Sequence, residues 1–326
     1  MRRPVTFGLI LLLAWGTETL WSQDVSGIPG AFVDIGVGAR PLGMGGAYTA
    51  MIAQPNAMFW NPASLARLPQ KGVDFSYVNQ LGLIPYTAFS GGLSLAGIHS
   101  LGLGILASGD EQLKETTILL NYAISLEDVT PSWMSELFLG INLKYHLANF
   151  GRGGFDPAKY PLFNDQDLAA GEAAYVSGAA SGWGLDLGLI YRVGPRVFIG
   201  MAAKDLVSNI SWNNEQESYS EGLPARLTMG LSYFVQSTFL VTLDYEHYLN
   251  SEAPVRMRAG VEKIILGALA LRGGMGQTLA AESRRDYAIG TGFALKMEQV
   301  GQLNVDYAYQ LHPLANMHRF SVGVRF

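Results

Sequence analysis

From residue 73 to the C-terminus, hydrophobic and polar or small residues alternate in segments of about ten, separated by turn residues. Leu303, Val305, Tyr307 and Tyr309 form one stripe, and Gln302, Asn304, Asp306 and Gln310 form the other. The last segment repeats the pattern, with Phe320, Val322, Val324 and Phe326 set against Arg319, Ser321, Gly323 and Arg325. Successive side chains of a strand point to opposite faces, so two such stripes require an apolar environment on one side and a wet one on the other. The even number of these segments predicts an all-β fold, a transmembrane antiparallel β-barrel of about 14 strands.

Loop lengths support that reading, because such barrels have short turns at one end and longer loops at the other. With the first strand running outward, the long connections at 148–181 and 206–224 follow odd strands, while the tight ones at 193–195 and 235–237 follow even strands. The connection at 127–135 is an exception. A β-sandwich or propeller would alternate too. The membrane barrel is favoured by aromatics near segment ends (Tyr77, Tyr145, Tyr191, Tyr245) and by a last strand ending on Phe326, expected where the last strand pairs with the first and leaves no open edge in lipid.

The N-terminus points to the same compartment. Arg2 and Arg3 precede an apolar run at 5–15, followed by Thr17, Glu18 and Thr19, the layout of a secretory signal peptide. Residues 1–22 are assigned to it, with cleavage after Ser22 or, earlier, after Gly16. No later stretch holds the roughly 20 consecutive apolar residues of a transmembrane helix. The expected location is the bacterial outer membrane after Sec export, in contact with its lipid.

Composition removes other classes. Charged residues make up 15% of the 326, against roughly 25% in soluble domains. With no cysteine, disulfides, a thiol nucleophile, thiolate metal sites and a lipoprotein anchor are excluded. A net charge of -5 gives no nucleic-acid footprint.

The stretch at 34–68 is neither targeting segment nor alternating strand. It is rich in Gly and Ala, and Pro41, Pro55 and Pro62 interrupt any long helix. We expect a compact plug of short helices and turns inside the barrel or across its mouth, which divides the chain into signal peptide (1–22), N-terminal plug (23–71) and barrel (72–326).

Candidate chemistry is sparse. The inward stripe carries both charge signs, among them Lys144, Asp186, Lys204, Glu246, Arg258 and Asp286, and the expectation is ion pairs across neighbouring strands that brace the lumen and hold the plug. Leu119, Ile190 and Phe198 also fall on inward positions, where they would contribute to an apolar pocket. No GxSxG elbow or HExxH spacing is present. The acidic run at 164–167 lacks the Gly and distal Glu of an EF-hand loop. The glycines of GVGARPLGMGG lack the strand and helix that flank a phosphate cradle. The expectation is a non-enzyme with no cofactor and no metal.

The blocks Gly38-Ala39-Arg40, Leu42-Gly43-Met44-Gly45-Gly46-Ala47 and Trp60-Asn61-Pro62-Ala63 resemble the N-terminal signature of the PorV/PorQ and UPF0164 group of outer-membrane proteins, relatives of the fatty-acid transporter FadL. Residues 181–193 and 199–212 are similar to the group's mid-barrel strand pair. The spacer departs from the pattern, with Gln54-Pro55-Asn56 where an acidic residue usually precedes the Asn. The resemblance implies a fourteen-stranded barrel with an N-terminal plug, whose motif residues here are Gly38, Ala39, Arg40, Gly43, Gly45, Gly46, Trp60, Asn61 and Pro62. For function it implies an accessory of type IX secretion or surface assembly that binds exported proteins, with secretion-system proteins as partners. The loop aromatics Phe155, Tyr160, Phe163, Tyr175, Trp212 and Tyr219 would meet them. The alternative is a FadL-like channel for hydrophobic small molecules such as fatty acids; a third is a structural barrel without cargo. Phe320, Val322, Val324 and Phe326 are the expected signal for barrel assembly.

Overall fold

The computed structural model describes residues 36–52, 54–69, 71–80, 84–109, 113–127, 136–150, 178–214, 218–249, 253–280, 283–298, 301–312 and 316–326. The signal-peptide segment, plug residues 23–35, the acidic run at 164–167 and the aromatics at 155–175 lie outside them.

A one-turn helix α1 (Ala39–Gly43) and two 3-10 helices (Pro55–Phe59 and Pro62–Arg67) precede the strands. Prolines at the first position of both 3-10 helices set φ for the turn and give up an N–H that would have no partner there. The strands are β1 (Lys71–Gln80), β2 (Ile84–Leu95), β3 (His99–Gly109), β4 (Leu113–Ser125), β5 (Leu137–Phe150), β6 (Gly178–Gly194), β7 (Val197–Asn214), β8 (Ser218–Glu221), β9 (Arg226–Gln236), β10 (Phe239–Tyr248), β11 (Val255–Ile265), β12 (Leu269–Leu279), β13 (Arg285–Met297), β14 (Gly301–Leu311) and β15 (Met317–Arg325).

Neighbours pair antiparallel throughout, and β1 pairs with β15 from Gly72↔Arg325 to Val78↔Arg319, so the sheet closes on itself. Among the described residues β8 pairs with β7 alone, and β7 also pairs directly with β9, so fourteen strands make the wall and β8 is a flap at its rim. Closure gives each of the fourteen wall strands a neighbour on both sides, which is what lets a sheet sit in hydrocarbon. The alternation sorts as the sequence predicts. Ile289, Phe293, Leu120 and Phe320 project from the outer face, Ile289 with 62% of its surface open, while Ala308, Gln310, Arg319 and Ser321 are buried inside.

The end of the barrel that holds the start of β1 and the end of β15 has short turns at 96–98, 195–196, 237–238 and 266–268, with 126–136 the longer one. At that end Arg192 donates to Glu127 at 2.9 Å and to Glu136, and the latter bond holds the half-buried Glu136 carboxyl below its usual range. Toward the opposite end β6 and β7 run to 17 and 18 residues, against 10 in β10 and 11 in β11. Trp212 of β7 stacks there on Tyr219 of β8, ring centres 6.3 Å apart.

An irregularity in the β6–β7 pair reshapes the lumen. Leu185 pairs with Val207 and Leu187 with Ala203, so Asp186 faces a bulge of Lys204, Asp205 and Leu206. Asp205 takes a left-handed φ of 51°, a conformation that non-glycine residues adopt at a cost. Its backbone N–H donates to Asp186 Oδ1 at 2.9 Å, and Lys144 bridges both carboxylates, reaching Asp186 at 2.7 Å. Two adjacent side chains, Lys204 and Asp205, therefore turn into the lumen where strict alternation would allow one.

Candidate functional site in the plugged lumen

Residues 36–52 and 54–69 lie within the ring of strands. The first half of this plug sits at mid-height against β10–β15. Ala39 N–H donates to Ser321 Oγ at 2.7 Å, and Arg40 grips Glu262 with contacts of 2.6 and 2.8 Å. Glu262 also accepts from Arg272 at 2.6 Å, which in turn reaches Asp306 at 2.7 Å. Asp244 Oδ2 takes three bonds from the next turn: Tyr48 N–H at 2.9 Å, Thr49 N–H at 3.0 Å and Thr49 Oγ1 at 2.7 Å. A short helix leaves most of its backbone donors without internal partners, and here wall carboxylates take up those of the turn that follows it.

The second half lies nearer the terminal end and is held mainly by volume. Met58, Ala63 and Leu65 pack with Leu119, Ala123, Phe138 and Ile190 in one fully buried cluster. Asn61, wholly buried, joins the two halves. Its Oδ1 accepts from Ala63 N–H at 3.0 Å, and its Nδ2 lies 2.8 Å from Thr49 O, 3.2 Å from Leu189 O and 3.3 Å from Met201 O. The amide thus closes a 3-10 helix, the preceding plug turn and two wall strands at once.

The plug approaches the wall through glycine. A β-carbon on Gly140 or Gly188 would overlap the 61–63 backbone or the Asn61 side chain, one on Gly200 would overlap Thr49, and one on Gly260 or Gly274 would overlap the backbone at 44–45. On the plug side, Gly45 has φ +66° and a β-carbon there would fall 2.5 Å from Met275 N, so both conformation and space demand glycine. Gly43 packs on Gly290, and Gly46 on Arg258 and the Trp60 ring. The sequence places these wall glycines on inward positions without indicating their role as plug contacts, because alternation gives the side of the sheet but not the height.

Above the plug, away from the terminal end, is a cavity of about 80 Å³. Its apolar floor and wall come from Val37, Phe59, Trp60, Leu106 and Leu119. Trp60 is fixed by an Nε1–H bond to Val37 O at 2.9 Å and an edge contact with Tyr48, ring centres 6.1 Å apart. The rest of the lining is charged. Arg258 pairs with Glu246 at 2.8 Å, Arg226 approaches the same carboxylate at 3.8 Å, and Arg256 pairs with Asp286 at 3.0 Å. Lys204 donates to Phe59 O at 2.5 Å and lies 5.7 Å from the Trp60 ring centre.

One sequence expectation needs correction. Ile190 and Phe198 do not line this cavity; the plug fills the space before them, with Phe198 against Phe234 at 6.1 Å, and of the three inward apolar residues Leu119 alone reaches it. The lumen charges do pair across strands, as in Arg258–Glu246 and Arg272–Glu262, and Arg40–Glu262 holds the plug, while Lys204 stands directly opposite Arg226 in the β7–β9 register. Among the motif residues, Gly38, Ala39, Arg40, Gly43, Gly45 and Gly46 gather on the β11–β15 side, while Trp60, Asn61 and Pro62 meet β5–β7 and the cavity. At the C-terminus, Phe320, Val322 and Phe326 face outward, and Phe326 N–H bonds to Lys71 O at 3.0 Å across the closing seam.

The fold and site define a closed, internally plugged fourteen-stranded barrel with a small, partly charged chamber above the plug. No protein-family model and no curated protein matches the chain, so the PorV/PorQ resemblance has no family match behind it. Solved structures share the fold. The CymD monoaromatic hydrocarbon channel aligns with a TM-score of 0.57 at 16% identity, covering 89% of this chain and 96% of that one. The Pseudomonas putida toluene transporter TodX gives 0.56 at 14% over 89% and 97%. A Pseudomonas aeruginosa FadL homologue gives 0.59 at 10% over 88% and 97%.

Proposed function

We propose that the chain is a non-enzymatic, plugged outer-membrane channel that passes small molecules with an apolar body. The observation that carries this reading is the chamber floored by Trp60 and Phe59 and resting on the plug, within a barrel whose fold is that of proteins described as hydrocarbon channels and as a FadL homologue. A concave site that joins an apolar floor to fixed polar and charged groups is where small ligands settle and are oriented. The secretion-accessory role implied by the PorV/PorQ resemblance rests on the sequence blocks at 38–47 and 60–63, and the likeness to channels favours transport over it. Export through the 1–22 segment, insertion guided by the Phe320–Phe326 stripe and lipid contact around the outer face belong to the same proposal. Deleting Phe326 is expected to reduce the heat-modifiable barrel recovered from outer membranes, and an undiminished yield would remove that role.

The test is what travels with the protein. Purified in mild detergent from its own membrane, the barrel should release small apolar or amphipathic molecules on solvent extraction. Stoichiometric exported proteins or secretion components, with no small molecule extracted, would overturn the transport reading in favour of the accessory one.

A further inference from the structure

We propose that the chamber above the plug is a binding site for a compact organic anion, a single-ring aromatic carboxylate, rather than for a neutral hydrocarbon. This rests on the transport reading and specifies its substrate class. The argument begins with the charges. On one side of the chamber Lys204, Arg226, Arg256 and Arg258 stand near three carboxylates, Asp186, Glu246 and Asp286, of which Glu246 and Asp286 pair with the arginines. Lys204 and Arg226 are register partners across β7 and β9, and Arg256 and Arg258 are on the same face of β11. Like charges directly opposite each other on a sheet are destabilising, and an anion bound beside Lys204 would relieve that repulsion. Among the described residues Lys204 makes no ion pair; a backbone carbonyl and the Trp60 ring are what it touches. The strained bulge at Asp205 lies directly beside it, a kind of irregularity concentrated at functional sites.

The opposite side fixes the other half of the ligand. Trp60, held in place by Val37 O and Tyr48, presents a flat face beside Phe59, Leu106 and Leu119. An aromatic ring there keeps a carboxylate within reach of Lys204 and the guanidinium groups. At about 80 Å³ the chamber is compact, which suits a single ring. A neutral hydrocarbon would displace the water that solvates these cations and offer nothing in return, and that loss is what selects the acid.

The experiment measures binding by the purified, detergent-solubilised full chain, with benzoate, toluene and inorganic phosphate as probes in isothermal titration. Saturable benzoate binding, at least about tenfold tighter than either toluene or phosphate, is the expected result, tenfold being the equivalent of one charge-assisted hydrogen bond. Lys204→Met and Arg256→Gln should each weaken benzoate about tenfold, and Lys204→Arg should retain it. Toluene or phosphate binding as tightly as benzoate, or no saturable benzoate binding, would overturn the proposal, as would full affinity in the Lys204→Met, Arg256→Gln double variant. The probe comparison needs no variant to fold. Transport of neutral aromatics without benzoate binding would defeat this proposal while leaving the channel reading intact.

Discussion

Residues 39–50 and residues 54–68 of the plug are fixed to one wall by different forces. The first half is held by direction: Arg40 on Glu262, and three donors converging on Asp244. The second is held by volume, with Met58 and Leu65 in a sealed cluster against Leu119, Phe138 and Ile190. Hydrogen bonds to a carboxylate fix orientation and register, whereas apolar packing rewards any arrangement that excludes water and fills space. The plug thus has one end that specifies its position and one that supplies bulk. Phe59 and Trp60, at the floor of the chamber, lie near the junction, which Asn61 ties together.

Four substitutions would break or sharpen that contrast. Asp244→Ala leaves two buried backbone N–H groups and a threonine hydroxyl without their acceptor, and should cost about 4 kcal/mol. The expected signature is lower-temperature loss of heat modifiability, with hydrogen exchange accelerated at 39–50 and little changed at 55–67. Phe138→Ala removes a ring from the apolar cluster and should cost about 3 kcal/mol with the opposite exchange pattern, fast at 55–67 and slow at 39–50. Equal exchange in both halves for either variant would mean that the plug loosens as one unit. Gly188→Ala places a methyl group on the Asn61 side chain and should cost about 2 kcal/mol by overpacking, opening both halves because Asn61 serves both. Arg40→Met is the mildest at about 1 kcal/mol, since Glu262 keeps Arg272; a loss as large as that for Asp244→Ala would make Arg40 the principal anchor.

Much of the wall was legible in the sequence, because a period of two is a direct consequence of strand geometry and a closed barrel applies it to every strand. The plug was legible as a departure from that period. β8 was not: Ser218–Glu221 lacks an apolar stripe and exists as a strand through its pairing with the extended end of β7. Neither was the chamber. Ile190 and Phe198 have the right parity for a lumen pocket, but their height puts them against the plug. Asp205 turns into the lumen beside Lys204 only because β7 carries a bulge, and nothing in the local sequence announces two extra residues at that point. Alternation reports which side of the sheet a residue faces; register, bulges and height decide what it meets there.

The central claim is that this barrel passes small apolar-bodied molecules by way of the chamber on its plug. The most direct test is the initial rate of uptake of labelled single-ring aromatics, neutral and acidic, by Gram-negative cells carrying the chain, carrying Leu106→Trp, or carrying neither. Leu106 lines the chamber, and a tryptophan there should fill it while leaving the outer face untouched. The account predicts faster uptake with the native chain than in cells without it, and a return to the background rate with Leu106→Trp at equal levels of folded barrel. Native-chain uptake no faster than background would contradict the channel, and undiminished uptake through Leu106→Trp would contradict the route.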